Sequence, residues 1–369
     1  MNREVRDKTE YRPRPVRKIE LDGSRPVARL ILVCVLLAVG ITAIGAGIKA
    51  FLTPDTGWTE IEPASSEQNC SADFVFLYNL GKDGKSAAAE KKELTILYSD
   101  VCEKAVPLFS VYGVSAAEGG LLYLNEHPNE PVTMDPAVFK ALEDVSASGS
   151  RYPYLAPVFE QYNTVFNCSS DAEAENFMPE KNPDLAEYFE KVVSFSNDAE
   201  SIDLILNDDG TACLKVSREY MDFAAQNGIT VFFDLFALKN AFIADYIAAE
   251  LTQRGFVSGT LSSYDGFTCC LDCSGESFSF NCYELREGRP VLTGTEEYTG
   301  PLNSATLRAF PVMESKEYYW YRTEDGRYIT ALIDPATGRF DPTSESVTEK
   351  SAELSCGRLA LKAYTEIAR

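Results

Sequence analysis

The stretch YITALIDPATG, Tyr328 to Gly338, carries a strand into a rigid turn and sets a carboxylate, Asp334, at its mouth. Tyr, Ile, Thr and Leu suit a pleated, half-buried surface. Asp-Pro followed by Thr-Gly is turn chemistry. A carboxylate held there either closes a hairpin or belongs to a phosphate-binding site. Other residues able to do chemistry are sparse. The one histidine, His127, lies in the Pro-rich turn LNEHPNEP, which suits a surface role. Any Ser-His or Cys-His mechanism would have to use it. The chain has no G-x-S-x-G, P-loop or H-E-x-x-H motif, which speaks against hydrolase and nucleoside-triphosphatase classes.

Nine of the ten cysteines follow residue 50: Cys70, Cys102, Cys168, Cys213, Cys269, Cys270, Cys273, Cys282 and Cys356. In an oxidising compartment an odd number leaves at least one thiol unpaired unless it bridges chains. CCLDC contains a C-x-x-C, but a zinc site wants four ligands at looser spacing, often with His. FTCCLDCSGESFSFNCYEL alternates like two strands around SGE, so it is read as buried strand cysteines or a cross-strand bond. Asn69-Cys-Ser and Asn167-Cys-Ser fit the glycosylation pattern, which has meaning only in a eukaryotic secretory path.

The elements that must position these residues follow a basic, apolar, acidic order. Residues 1–50 hold 10 Lys/Arg and 5 Asp/Glu, while the whole chain carries a formal net charge of -22. A surface that acidic repels nucleic acid. LILVCVLLAVGITAIGAGI, Leu30 to Ile48, has no charged residue and is long enough for about one hydrocarbon core. A cleaved signal peptide is disfavoured by the long charged segment before it and by the lack of an A-x-A site before Lys49. Arg12, Arg14, Arg17, Lys18, Arg25 and Arg29 precede the run, which puts the N-terminus in the cytoplasm and the acidic bulk outside. The expected organisation is a basic cytoplasmic tail over 1–29, a transmembrane anchor over 30–52, a linker over 53–70 and an extracytoplasmic domain over 71–369.

Within that domain DFVFLYNLG and ELTILYS read as strands joined by a charged connection. MDPAVFKALEDVSAS reads as a helix with Asp135 as N-cap and Pro136 at its first position. SIDLILNDDGTACLKVS reads as a hairpin turning at Asp208-Asp209-Gly210. From Gly228 a buried strand is expected to run to Phe233, followed by a helix to about Arg254 stopped at Gly255. EYYWYRTEDGRYITALIDPATG reads as a second hairpin, and SAELSCGRLALKAYTEIAR as a terminal helix. Interleaved helices and hairpins predict an α+β class with mainly antiparallel sheet.

Three stretches carry a resemblance: SKEYYWYRTEDGRYITALIDPATG, DLFALKNAFIAD, and FSVYGVSAAEGGLLYLN from Phe109 to Asn125. In this order they resemble the ApbE family, membrane-tethered extracytoplasmic flavin transferases that use magnesium to move FMN from FAD onto a Ser or Thr of a partner protein. The likeness implies a two-layer domain and spans most of residues 71–364. It marks Asp234, Lys239, Asn240, Asp245, Tyr318, Asp334, Thr337 and Gly338 as cofactor-binding positions. Asp334, Pro335, Thr337 and Gly338 match the family's D-P-x-T-G turn; Tyr318, Gly326, Asp234 and Asp245 also match.

The positions that carry the family's chemistry differ. Phe236 and Ala237 stand where two glycines let the backbone approach a ligand, and bulk at Phe236 would block a diphosphate. Asn240 replaces a lysine. Lys239 replaces a small residue that lends a backbone oxygen to the metal, and Ala331 replaces a histidine. Cys356 and Ala360 fall where the final helix supplies an Asp and a Thr to the metal; a shift by one puts Ser355 at the first. Thiol and methyl groups offer magnesium none of the hard oxygens it needs. The expectation is therefore a retained scaffold that binds or interacts with an extracytoplasmic protein partner. The alternative is an active transferase with a reworked site, in which Lys239 stands in for the metal and FAD and magnesium remain relevant.

Overall fold

A computed structural model describes residues 26–52, 56–63, 69–82, 84, 86–113, 116–271, 277–312 and 319–368. The chain divides into two compact units, Met1–Pro54 and Asp55–Arg369. The first contains α1 (Pro26–Leu52), whose described side chains, Val27 and residues 30–45, are nearly all exposed and apolar. Among the described residues no helix is long and apolar enough to cross a membrane. The described side chains stop short of Ile48, the end of the expected apolar run.

The second unit holds helices α2 (Ala87–Phe109), α3 (Leu121–Glu126), α4 (Pro136–Ser148), α5 (Ala156–Phe166), α6 (Asp171–Ala174), α7 (Pro183–Asn197), α8 (Arg218–Asn227), α9 (Lys239–Gln253) and α10 (Cys356–Ile367). Its strands begin with β1 (Gly57–Glu60), β2 (Phe74–Leu80), β3 (Val132–Thr133), β4 (Ile202–Leu206) and β5 (Thr211–Val216). Then come β6 (Gly259–Ser263), β7 (Phe267–Cys270), β8 (Ser277–Arg286), β9 (Arg289–Thr299) and β10 (Leu302–Arg308). The last are β11 (Trp320–Arg322), β12 (Tyr328–Thr330), β13 (Ile333–Asp334), β14 (Arg339–Phe340) and β15 (Ser346–Ser351).

An antiparallel six-stranded sheet, ordered β1-β2-β6-β7-β10-β15, organises this unit. Strand side chains alternate between faces. Phe76, Tyr78, Leu261, Phe267, Cys269, Ala305 and Leu307 point into the core, where α9 and α10 pack on the sheet and α2 packs on α9. A three-stranded sheet β3-β5-β4 and the pairs β11-β12, β13-β14 and β8-β9 complete it. The α+β, mainly antiparallel architecture matches the sequence reading. So do the Asp135 cap, whose carboxylate accepts the Ala137 N–H at 2.8 Å, and the β4-β5 and β11-β12 hairpins.

Several segments differ from expectation. ELTILYS is not a strand but the middle of α2. Leu94, Tyr98, Val101, Cys102, Ala105 and Leu108 are buried at three- and four-residue spacing, so the helical period of the longer segment overrides a short apolar run. GITVFFD forms no strand among the described residues. The Asn125 side chain holds it instead: Oδ1 accepts the N–H groups of Phe232 and Phe233 at 2.8 and 2.9 Å, and Nδ2 donates to the Phe233 carbonyl at 2.9 Å. β1 lies within the segment read as a linker, 53–70, and pairs with β2. β7 and β8 do not pair with each other; β7 lies between β6 and β10, and β8 pairs with β9. Cys269 and Cys270 are buried strand cysteines. None of the nine cysteines among the described residues forms a disulfide; Cys273 lies outside them.

Candidate functional site

The segment entering α9 builds one half of the site. Asp234 is buried, and its Oδ1 accepts the Phe236 N–H at 2.9 Å. That bond bends the chain so that Phe236 takes φ 44°, the left-handed region where glycine is ordinarily at home. Phe236 keeps the conformation and fills the space with its ring. The ring stacks on Phe159 at 4.5 Å between centroids and meets Tyr319 edge-on at 4.7 Å. Tyr319 also has a positive φ, 58°. Burial raises Asp234 to about 6, against the opposing pull of the Phe236 N–H and the Lys239 charge. Lys239 is held above the ordinary lysine range by Tyr319, with burial opposing and Asp234 and Asp73 assisting. Asp234, Phe236, Lys239 and Tyr319 line a cleft of about 190 Å³ together with Ser110, Val111, Tyr112 and Asn163.

Asn240, one residue on, faces a different cavity of about 100 Å³. Its Nδ2 donates to Asp265 Oδ2 at 2.9 Å. Among the described residues its own Oδ1 has no partner, nor do Asp265 Oδ1, Arg308 Nε and Thr330 Oγ1, all buried and all on residues lining this cavity. Burial raises Asp265 to about 6; the Ser263 hydroxyl and the Asn240 amide oppose the rise, and Asp73 adds to it. Burial lowers Arg308 to about 10. Ala331 lines the same cavity, and its carbonyl accepts the Tyr152 hydroxyl at 2.9 Å.

Asp245 serves the helix opposite. Its Oδ1 accepts the Cys356 N–H at 2.8 Å and its Oδ2 the Gly357 N–H at 2.7 Å. It thereby occupies two of the four orphan donors at the start of α10. Burial still lifts it to about 6 against those two bonds. Cys356 Sγ donates to the Ser304 carbonyl at 3.3 Å, and both Cys356 and Ala360 are fully buried. Ser355 caps α10 through its hydroxyl. These residues do not fit a magnesium ion: the thiol and methyl are poor ligands, and the carboxylate is turned to the helix. Among the described residues no group of three or more His, Cys, Asp or Glu is arranged to hold a metal.

The Asp334 turn is closed on itself. Asp334 Oδ1 accepts the Ala336 N–H and Oδ2 the Thr337 hydroxyl, both at 2.9 Å, while its carbonyl accepts the Gly338 N–H at 2.8 Å. Gly338 sits at φ 68°, and a Cβ there would meet Val193 at 2.9 Å. None of Asp334, Thr337 and Gly338 lines either cavity. Tyr318 lies outside the described residues. The sequence thus pointed to four separate places: Asp234 with Lys239, Asn240 with its cavity, Asp245 with α10, and the closed turn of Asp334, Thr337 and Gly338. Asp265, Arg308, Thr330 and Tyr319 were missed. Only the Asp265-Gly266 turn, with Gly266 at φ 111°, left a local trace.

No protein-family model and no curated protein sequence matches the chain. Among solved structures, the flavin transferase ApbE from Vibrio cholerae aligns with a TM-score of 0.56 at 15% identity, covering 84% of this chain and 86% of its own. The chain has the ApbE fold. An ApbE protein from Thermotoga maritima agrees, with a TM-score of 0.53 at 12% identity over 83% of this chain and 85% of its own. The ApbE-like architecture read from three short stretches therefore extends over most of the chain, at an identity low enough to mark a divergent example of the fold.

Proposed function

We propose that this protein is an ApbE-like domain that no longer transfers flavin and acts as an extracytoplasmic binding or interaction module. In this reading it is tethered to the membrane through the apolar segment of α1, with the N-terminus in the cytoplasm. The observation that carries it is the start of α10. Asp245 spends both oxygens on the N–H groups of Cys356 and Gly357, and Cys356 presents sulfur where hard oxygen is needed to grip a divalent cation. The Phe236 ring supports the same reading, because it fills the place where a diphosphate would need open backbone. Asp73 and Asp265 add carboxylates to the neighbouring cavity, which disfavours a polyanion.

The test is to mix the full chain, held in lipid nanodiscs, with FAD, magnesium and a Ser/Thr acceptor protein, and to weigh the acceptor. No FMN mass increment is expected, and a stoichiometric increment overturns the reading. The second reading, an active transferase, draws on Lys239, a cation in the cleft beside Asp234 and Tyr319. Under it the increment appears and is lost in Lys239→Met.

A further inference from the structure

We propose that the cavity between α9, the β6-β7 turn, β10 and β12 binds a small organic ammonium compound that also carries an oxygen acceptor, the α-amino-acid class. The inference deepens the preceding one and rests on it only in treating the domain as a binder. Four polar atoms on the lining are buried and without partners among the described residues: Asn240 Oδ1, Asp265 Oδ1, Thr330 Oγ1 and Arg308 Nε. Asn240 and Thr330 are each only 6% exposed. A buried polar atom left unpaired costs about 1–3 kcal/mol, and native proteins leave few of them. Four at one small cavity mark a place completed by something from outside.

The chemistry of the four narrows the choice. Three are acceptors, since a carboxylate oxygen, an amide oxygen and a hydroxyl all take a hydrogen bond. An ammonium group offers three N–H donors and no acceptor, which complements them. The fourth, Arg308 Nε, is a donor and calls for a carboxylate or carbonyl oxygen on the same ligand. The charges agree. Among the described residues, Asp73 and Asp265 line the cavity against one cation, Arg308, while Lys239 lines the adjoining cleft that shares Tyr319. Trp320 and Tyr319 add aromatic faces suited to a cation.

Leu307, Phe310, Val312 and Leu332 supply an apolar wall for the body of the ligand. At about 100 Å³ the cavity is smaller than the roughly 150 Å³ that encloses benzene. A branched four-carbon body matches that size, and an isoalloxazine does not.

The experiment is isothermal titration of the full chain in nanodiscs at neutral pH with L-valine, isobutylamine, isobutyrate and FAD. L-valine is expected to bind most tightly, isobutylamine more weakly and isobutyrate not at all. Asp265→Asn and Thr330→Val should each weaken L-valine by about tenfold or more, with circular dichroism confirming the fold. Arg308→Met should weaken L-valine while leaving isobutylamine within about twofold. Absence of binding by both amines, isobutyrate binding as well as L-valine, or L-valine affinity unmoved by both Asp265→Asn and Thr330→Val overturns the proposal. Flavin transfer alongside amine binding would instead overturn only the loss of transferase activity, so the two failures are distinguishable.

Discussion

Replacing Phe236 by glycine separates two opposing energies at one residue. The Phe236 side chain is 5% exposed and stacked on Phe159. Removing such a ring costs about 3–5 kcal/mol, lost transfer energy and cavity together. Glycine, however, relieves the left-handed strain at φ 44°, worth about 1–2 kcal/mol. The net expectation is destabilisation by roughly 1–4 kcal/mol. Phe236→Ala supplies the control: it loses the ring yet keeps the strain, and so should be worse than glycine by about 1 kcal/mol or more. Urea unfolding, followed by far-UV circular dichroism and by the fluorescence of Trp58 and Trp320, reads both variants. If glycine leaves the midpoint unchanged, or if alanine is the more stable variant, the ring does not offset the strain and the account of this turn fails.

Three further outcomes follow from buried groups. Asp234, Asp245 and Asp265 each have a folded-state value of about 6 against an ordinary 3.8. The folded chain therefore binds protons more tightly than the unfolded one, and stability should rise as pH falls from about 7 through 6 toward 4.5; a melting temperature that drops steadily over that range contradicts the burial argument. Asn125→Ala leaves the Phe232 and Phe233 N–H groups unpaired, which should cost about 3–5 kcal/mol and speed hydrogen exchange at those two amides; unchanged exchange would show that Asn125 does not hold the segment. Cys356→Asp places a carboxylate at a fully buried site beside Asp245. It should lower the melting temperature, with no recovery in millimolar magnesium, and recovery by magnesium would mean that the start of α10 still forms a cation site.

What the sequence made legible was local. The Asp135-Pro136 start of α4, the Asp208-Asp209-Gly210 hairpin and the Asp334-Pro335 turn each carry their geometry in adjacent residues. What it hid was long-range. Asn125 acts on Phe232 and Phe233 from more than a hundred positions away, and no periodicity announces a side chain holding so distant a segment. The cavity at Asn240 draws Asp265 from the β6-β7 turn, Arg308 from the end of β10 and Thr330 from β12, residues unremarkable until the sheet brings them together. α2 misled because ELTILYS, isolated from its neighbours, fits either period. Of the family-matched positions, Asp234 and Asp245 proved to bond backbone amides, a role that a motif comparison does not distinguish from ligand binding.

The order of the six-stranded sheet has a kinetic consequence. β2 and β6 are neighbours, with Phe74 opposite Ser263, yet all of α2 to α9 lies between them in the chain. β1 and β2 pair locally, but the sheet cannot grow past them; β2 waits for β6 until most of the polypeptide has been delivered. Contacts so distant in sequence make for slow folding. Meanwhile FVFLYNL, an apolar strand whose β6-facing edge is unsatisfied, is open to pairing with another copy. A chaperone that shields this stretch during synthesis would protect yield more than any change that strengthens the finished core.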